Sequence, residues 1–361
     1  MIDDEQLSAS RDRIDALDQE IQRLLNARAE AAQNVARIKL AADPKAEFYR
    51  PEREAEVLRK VKERNTGPLD GEEVARLFRE IMSACLALEQ PLEVAFLGPE
   101  GTFTQAAALK HFGHSVETVS MGSIPDVFRE VESDACHYGV VPVENSTEGV
   151  ISHTLDTFFN SPLHICGEVA LRIHHHLLSK TASLDAVRLI YSHQQSLAQC
   201  RGWLDRHLPH AERIAVGSNA EAASLVTDKT TAAAIAGEAA AEIYQLQKLV
   251  QNIEDEPGNT TRFLVIGKKD ALQSGNDKTS LLFSMHNKSG GLHSLLAPLA
   301  EHGISMTRIE SRPSRRGRWE YVFFVDIEGH RKDTKVAKAL QVLEREATLF
   351  KILGSYPKAV L

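Results

Sequence analysis

The stretch Gly258-Asn259-Thr260-Thr261-Arg262-Phe263 puts a turn, two hydroxyls and a guanidinium where a loop becomes a strand. It follows Glu254, Asp255, Glu256 and Pro257 and runs into the apolar Phe263-Leu264-Val265-Ile266. Glycine and asparagine accept positive φ, so the backbone can reverse there. A β-branched hydroxyl residue is stiff at χ1, and beside a fixed cation it makes a short, oriented donor. That suits a substrate carrying a hydroxyl and a carboxylate. A strand start with polar caps has the same composition, so the rest of the chain must decide.

Three other stretches have polar groups at places where α/β sheets bind ligands. Val140-Val141-Pro142-Val143-Glu144-Asn145-Ser146 ends an apolar run in polar side chains, at the carboxyl end of an expected strand. Ser192-His193 ends another, with Gln199 on the helix that follows. Gly98-Pro99-Glu100-Gly101-Thr102-Phe103-Thr104 is a glycine turn before a helix N-terminus, suited to a carboxylate. It is neither GxGxxG nor GxxxxGK, so it gives no support to a nucleotide site. Each alone is equally a capped loop. His174-His175-His176 invites a metal reading, but strand neighbours alternate in direction, so at most His174 and His176 face together. No acidic or cysteine partner is evident beside them, and neither a metal nor a cofactor is expected.

Near the N-terminus, Arg28 and Lys39 stand eleven residues apart, three helical turns and roughly 16 Å. Side chains reaching inward from both ends could hold a small dianion. Arg11 is about 25 Å from Arg28 along the same axis, so one small ligand cannot touch both within one chain. An antiparallel partner helix would bring a second Arg11 to the site, and Arg53, Glu54 and Glu89 could close it. The alternative is that Arg28 snorkels from an apolar seam and the others are surface charge.

These groups need elements to hold them. In 7–42, Leu7, Ile14, Leu17, Ile21, Leu24, Ala31, Val35 and Ile38 fall on a seven-residue repeat, with Arg28 on the same repeat. The pattern predicts one long helix, ended by Pro44. Two shorter helices are expected at 52–63 and 72–89. Their faces cannot cover the first helix, and an apolar seam of that length implies dimerisation. From Leu92 short apolar strands alternate with helices: strands at 94–97, 139–143, 169–173, 189–192, 214–216, 232–236 and 263–266, helices such as 197–207 and 220–228. That is α/β with a largely parallel sheet, in two subdomains with a cleft between them, as in periplasmic binding proteins. Residues 268–278 form a polar linker. The remainder reads strand 279–285, loop 287–291, helix 292–302, strand 304–310, basic turn 314–318, strand 319–327, helix 334–346 and strand 350–353, a ferredoxin-like βαββαβ order.

Composition fits this plan. The 361 residues suggest two or three domains, and 43% hydrophobic with 25% charged residues is globular. A formal charge of −8 argues against a nucleic-acid binder. No export signal or apolar run of membrane-spanning length is found. Cys85, Cys136, Cys166 and Cys200 are scattered without CxxC and read as reduced thiols of a cytoplasmic protein. A two-lobed transcription regulator would need a basic helix-turn-helix in place of the long helix. An exported amino-acid binding protein would lack both flanking modules.

Taken together the motifs resemble known families. Residues 7–90 resemble the all-helical chorismate mutases, through Arg11 in Arg-x-x-Ile-Asp-x-Leu-Asp, Arg28 in Leu-Asn-Ala-Arg, Lys39 in Ile-Lys, and Arg53-Glu54. The resemblance implies an intertwined homodimer that rearranges chorismate to prephenate. Arg11 of the second copy, Arg28 and Arg53 would hold two carboxylates, Lys39 would donate to the ether oxygen, and Glu54 would hold the hydroxyl. Arg50 stands where an acidic residue is common, Cys85 where serine is, and Glu89 where some members have glutamine. Residues 94–267 resemble prephenate dehydratases through the 98–103, 141–146, 191–193 and 260–263 motifs. This implies loss of water and carbon dioxide from prephenate. Thr261 would be the donor to the leaving hydroxide; Glu144, Asn145, Ser192, Gln199 and Phe263 would lie in or beside the cleft. Arg262 could hold a carboxylate or brace the loop. Residues 279–361 resemble the ACT regulatory domain through Asn287-Lys288-Ser289-Gly290-Gly291-Leu292 and Glu310-Ser311-Arg312-Pro313. Feedback inhibition by phenylalanine is implied, bound where two such domains pair. The expected domains are 1–91, 92–267 and 279–361, in a homodimer with a tetramer as the alternative assembly.

Overall fold

Apolar residues at helical spacing build the first three elements of this computed structural model, which describes residues 4–44, 46–147, 149–285, 289–313 and 321–361. Helix α1 spans Asp4–Ala42, α2 Pro51–Arg64 and α3 Gly71–Ala87. Pro51 opens α2, where a missing N–H costs nothing. Leu58, Ala75 and Met82 pack α2 on α3. Helix α1 is different. Among its described residues Ala36 alone is buried. Leu7, Ile14, Leu17, Ile21, Leu24, Val35 and Ile38 are 39–63% exposed.

The body follows as β1 (Glu93–Leu97), α4 (Phe103–Phe112), β2 (Glu117–Met121), α5 (Ile124–Glu132), β3 (Tyr138–Asn145), β4 (Gly149–Val150), α6 (Ser152–Phe158) and β5 (His164–Arg172). A second lobe contains β6 (His176–Ser179), β7 (Leu189–His193), α7 (Gln194–Gln199), α8 (Arg201–His207), β8 (Glu212–Val216), α9 (Asn219–Leu225), β9 (Ala232–Ala236), α10 (Glu238–Ile243) and β10 (Gln247–Val250). The chain then returns to the first lobe as β11 (Thr260–Gly267). The strand orders are β2-β1-β3-β11-β5 and β10-β6-β9-β7-β8. Four strands of each order point one way, in keeping with the expected largely parallel sheet, and β11 and β6 are the reversed ones. β11 runs antiparallel to both β3 and β5, because it re-enters its sheet from the far lobe. The single helix expected at 197–207 is two short ones meeting at Cys200.

The C-terminal module is β12 (Asp277–Ser284), α11 (Gly291–Glu301), β13 (Met306–Pro313), β14 (Tyr321–Glu328), α12 (Thr334–Glu346) and β15 (Leu349–Pro357), an antiparallel sheet ordered β13-β14-β12-β15. One face is covered by α11 and α12. The other shares a core with the body: Leu282, Phe324 and Tyr356 join Val141, Leu155, Ile165 and Leu264. At Gly354 a Cβ would lie 2.1 Å from the Ile165 carbonyl oxygen, so only glycine allows this approach. The segment before β12 is pinned, not loose: Ala271 is buried and Asp270 pairs with Arg331.

Candidate active sites

Strands β3 and β11 are neighbours, with Thr261 opposite Asn145 and Arg262 opposite Glu144. Side chains alternate along a strand, so the two pairs face opposite ways. The Thr261–Asn145 face opens on a cleft of about 360 Å³ between the lobes. Asn145 Nδ2 donates to Thr261 Oγ1 and to Asn259 Oδ1, both at 2.8 Å. Asn259 Nδ2 donates to Gln199 Oε1 at 3.1 Å, and Gln199 Nε2 to Thr147 Oγ1 at 3.1 Å. Thr147 Oγ1 closes the ring by donating to Asn145 Oδ1 at 2.6 Å. Thr261, Asn145 and Asn259 are all buried. Since Thr261 Oγ1 accepts from Asn145, its own hydrogen is left for a ligand. Phe263 lines the same cleft, as do Phe103 and Thr102 at the N-terminus of α4. Among the described lining residues there is no lysine or arginine.

Three expectations change. Arg262 does not face the cleft. Its guanidinium lies 2.9 Å from Glu168 Oε2, 2.5 Å from Asp326 Oδ2 and 2.9 Å from the Tyr356 hydroxyl. Of the two roles open to it, the geometry gives a brace between body and C-terminal sheet. Glu144 is turned the same way and pairs with Arg308 of β13 at 3.0 Å. Ser192 is fully buried below the cleft and donates to Asn219 Oδ1 at 2.8 Å, so Asn219 is the group presented. Asn219, Asn259 and His175 were not singled out from the sequence as site residues. An asparagine opening a helix after a strand was the available signal for Asn219. His174 does have an acidic neighbour, against expectation: Glu254 Oε1 is 2.8 Å from its Nδ1. Among the described residues no group of three or more metal-ligating side chains forms.

In the head, Arg28, Lys39, Glu54 and Glu89 come within electrostatic reach. Burial raises the Glu89 carboxyl above its ordinary range, and the charges of Lys39 and Arg28 pull against that. Burial also raises Glu54, which is ion-paired with Arg79. Arg79 was missed; a charge at helical spacing between the buried Ala75 and Met82 was its signal. Arg53 does not join the cluster: it is exposed and paired with Glu56 at 2.6 Å. Arg11 lies on the same unbroken helix as Arg28, too far along it to share a ligand. Cys85 is buried on α3. The head touches the body through Tyr49, whose hydroxyl is 2.8 Å from His111 Nε2. Burial, with Arg79 nearby, lowers His111 to about 3, so it is neutral.

In the C-terminal module, Gly290 caps α11 at φ 74°, a left-handed conformation favouring glycine. Gly291 and Leu292 begin that helix, and Glu310, Ser311 and Arg312 lie on the edge strand β13. Arg312 is turned to Asp156 of α6 at 3.3 Å. Asn287, the basic turn 314–318 and Trp319 lie outside the described residues.

Family models match along most of the chain: chorismate mutase type II at 10–90, prephenate dehydratase at 94–271 and the ACT domain at 279–345. The chain is 59% identical to a bifunctional chorismate mutase/prephenate dehydratase of Stutzerimonas stutzeri, covering all of both chains. Among solved structures, it is 32% identical to a prephenate dehydratase from Arthrobacter aurescens in complex with L-Phe, with a TM-score of 0.69 over 74% of this chain and 90% of that one. A chain named as a novel type of quorum quenching acylase is 28% identical, with a TM-score of 0.68 over 74% of this chain and 98% of that one.

Proposed function

The chain belongs to the family of bifunctional chorismate mutase/prephenate dehydratases, and we propose that its head rearranges chorismate to prephenate and its body converts prephenate to phenylpyruvate. The observation that carries the second half is the Asn145–Thr261 hydrogen bond at the cleft face. As the ring carboxylate leaves as carbon dioxide, its electron pair enters the ring and hydroxide departs from the opposite carbon. Thr261 donates a hydrogen bond to that hydroxide, with its oxygen held by Asn145. The departing carboxylate loses charge in the transition state, and a cation bound to it would favour the ground state. A lining whose described residues include no lysine or arginine therefore suits decarboxylation. An acylase would need a nucleophile beside a general base, whereas Thr261 Oγ1 faces an amide donor.

The mutase reaction is pericyclic and needs no nucleophile, only a held conformer and charge at the breaking ether bond. Lys39 supplies that charge and Arg28 a carboxylate contact. The bare seam of α1 supports a homodimer in which Arg11 of a second copy completes the site. Four buried free cysteines fit a reducing compartment, the cytoplasm. Phenylalanine, bound by the C-terminal module at Gly290, Gly291 and β13, inhibits the dehydratase. Arg262 and Arg308 carry that signal, since each joins the module to the back of a catalytic strand. Feeding chorismate to the purified protein and following prephenate and phenylpyruvate, with and without phenylalanine, tests the whole reading. Failure to form prephenate sinks the mutase assignment; phenylpyruvate formed at full rate by Thr261→Val sinks the role of Thr261.

A further inference from the structure

Every hydrogen bond in the ring below Thr261 has its direction set from one end. Protons are read here from the network, since heavy-atom positions alone do not place them. The main-chain N–H of Thr147 points at a side-chain atom of Asn145 3.0 Å away, so that atom is the oxygen. The Asn145 nitrogen then faces Asn259, which must present oxygen there and turn its own nitrogen to Gln199. Gln199 answers with its oxygen. That same oxygen lies 2.8 Å from His175 Nε2, so the imidazole is the donor. His175 therefore carries hydrogen on Nε2. Its Nδ1 is buried and has no hydrogen-bond partner among the described residues.

The ring is also held in place. His175 is 1% exposed and lies on the segment that crosses between the lobes, between β5 and β6. Its N–H donates to Glu254 Oε2 at 2.9 Å, and its carbonyl accepts from Ile253 N–H at 2.8 Å. The edge of its ring meets Phe103 with centroids 5.6 Å apart. Burial lowers its pKa, which keeps it neutral. His175 is at the floor of the cleft that Thr261 and Asn145 line, and among the described residues its one side-chain hydrogen bond goes to Gln199.

We propose that His175 is a positioning residue of the dehydratase reaction: its Nε2–H holds Gln199, and through Asn259 and Asn145 this keeps the Thr261 hydroxyl hydrogen directed into the cleft. The proposal rests on the reading of Thr261 as donor to the leaving hydroxide. Loss of the His175 donor takes one hydrogen bond from Gln199 Oε1 and loosens the amide against Asn259.

The test compares two variants in the full chain. His175→Phe keeps the ring and its contact with Phe103 but removes the donor. Dehydratase kcat is expected to fall about 10- to 100-fold, with KM for prephenate within about threefold, as for a misplaced catalytic group. His175→Gln returns an N–H near the place of Nε2, and kcat should come back to within about fivefold of wild type. The mutase rate of the same chains, expected unchanged, reports that they are folded. A His175→Phe enzyme with more than half the wild-type dehydratase kcat, or a His175→Gln enzyme as slow as His175→Phe, overturns the proposal. Nitrogen-15 NMR of the wild-type imidazoles near neutral pH reads the tautomer without any variant. A ring with hydrogen on Nε2 supports the proposal, and an Nδ1–H ring, whose Nε2 has no hydrogen to give Gln199, overturns it. Full dehydratase activity in Thr261→Val would sink only the Thr261 reading, leaving the tautomer and the rescue by glutamine standing.

Discussion

In the helical head, two cations stand on a helix whose apolar side is bare; in the cleft, uncharged side chains form a closed ring inside one chain. Arg28 and Lys39 belong to α1, where the flanking seam residues Ile21, Leu24, Val35 and Ile38 are 49–63% exposed. Thr261, Asn145 and Asn259 are each no more than 8% exposed. The contrast follows the chemistry. A pericyclic rearrangement needs fixed charge around oxygens that are not proton donors, and long side chains can supply it across an interface between copies. Dehydration with decarboxylation needs a donor aimed at one hydroxyl and no cation on the carboxylate that leaves. A donor of that kind must be oriented, and burial with hydrogen bonds on both sides orients it.

The sharpest way to break the comparison is to cross two substitutions. Thr261→Val should cut dehydratase turnover by about 10²- to 10³-fold and spare the mutase, while Lys39→Met should do the reverse. Assaying both reactions on each variant checks this. A substitution that damaged both activities equally would show that the sites are not independent. Next in size is the seam. Ile21→Glu puts charge in the middle of the exposed apolar face of α1, and we expect sedimentation to show the dimer lost. Mutase activity should fall by about tenfold or more if, as proposed, Arg11 of a second copy completes the site, with dehydratase activity within about twofold. A monomer with full mutase activity would mean that Arg11 of a second copy is not needed.

A fourth substitution probes the back of the catalytic strands. Arg262→Met leaves Glu168 and Asp326 buried without their guanidinium; both carboxylates are 6% exposed. Removing one member of such a group costs about 3–5 kcal/mol, moderated here by Lys278, which stays 2.9 Å from Glu168. Denaturant unfolding measures it, and a change below about 1 kcal/mol would refute the brace. Arg308→Ala removes the lighter contact to Glu144 and should weaken phenylalanine inhibition several-fold while leaving uninhibited turnover alone. Unchanged inhibition would take Arg308 out of the signal path.

How much of this was legible in the sequence depended on how local the signal was. The helix at Thr334–Glu346 and the three-module plan came from apolar period and from proline and glycine punctuation, which need no tertiary knowledge. Strand β2 went unseen because an edge strand with exposed Glu117 and Ser120 carries little apolar signal. The direction of β11 was illegible because it depends on where the chain re-enters the sheet. In the site, the motif residues are expected just beyond the strand ends; β3 and β11 extend over them, and alternation then divides them. Asn145 and Thr261 face the cleft, and Glu144 and Arg262 face away. Residue type favoured substrate contact for all four, and only the register of β3 with β11 separates them. His175 was hidden inside a histidine run read as a strand, whereas the chain there is the crossing between lobes.

The smallest expected effect returns to the charged half of the comparison. Glu89 is half-buried within reach of Lys39 and Arg28, and burial raises its carboxyl above the ordinary range. A raised pKa means that the neutral acid is present below it and is lost as pH rises through it. The neutral acid can donate to the ether oxygen that gains negative charge. The ionised form would repel that charge and engage the field of Lys39 that the reaction requires. Mutase activity should therefore fall by a few-fold as pH rises through the raised value, and Glu89→Gln, neutral at every pH, should flatten that limb. The dehydratase profile, built on threonine and amide groups, should keep its shape in the same variant. A mutase pH–rate profile with the same limb in Glu89→Gln would assign the titration to another group and leave Glu89 as an ionised partner of Lys39.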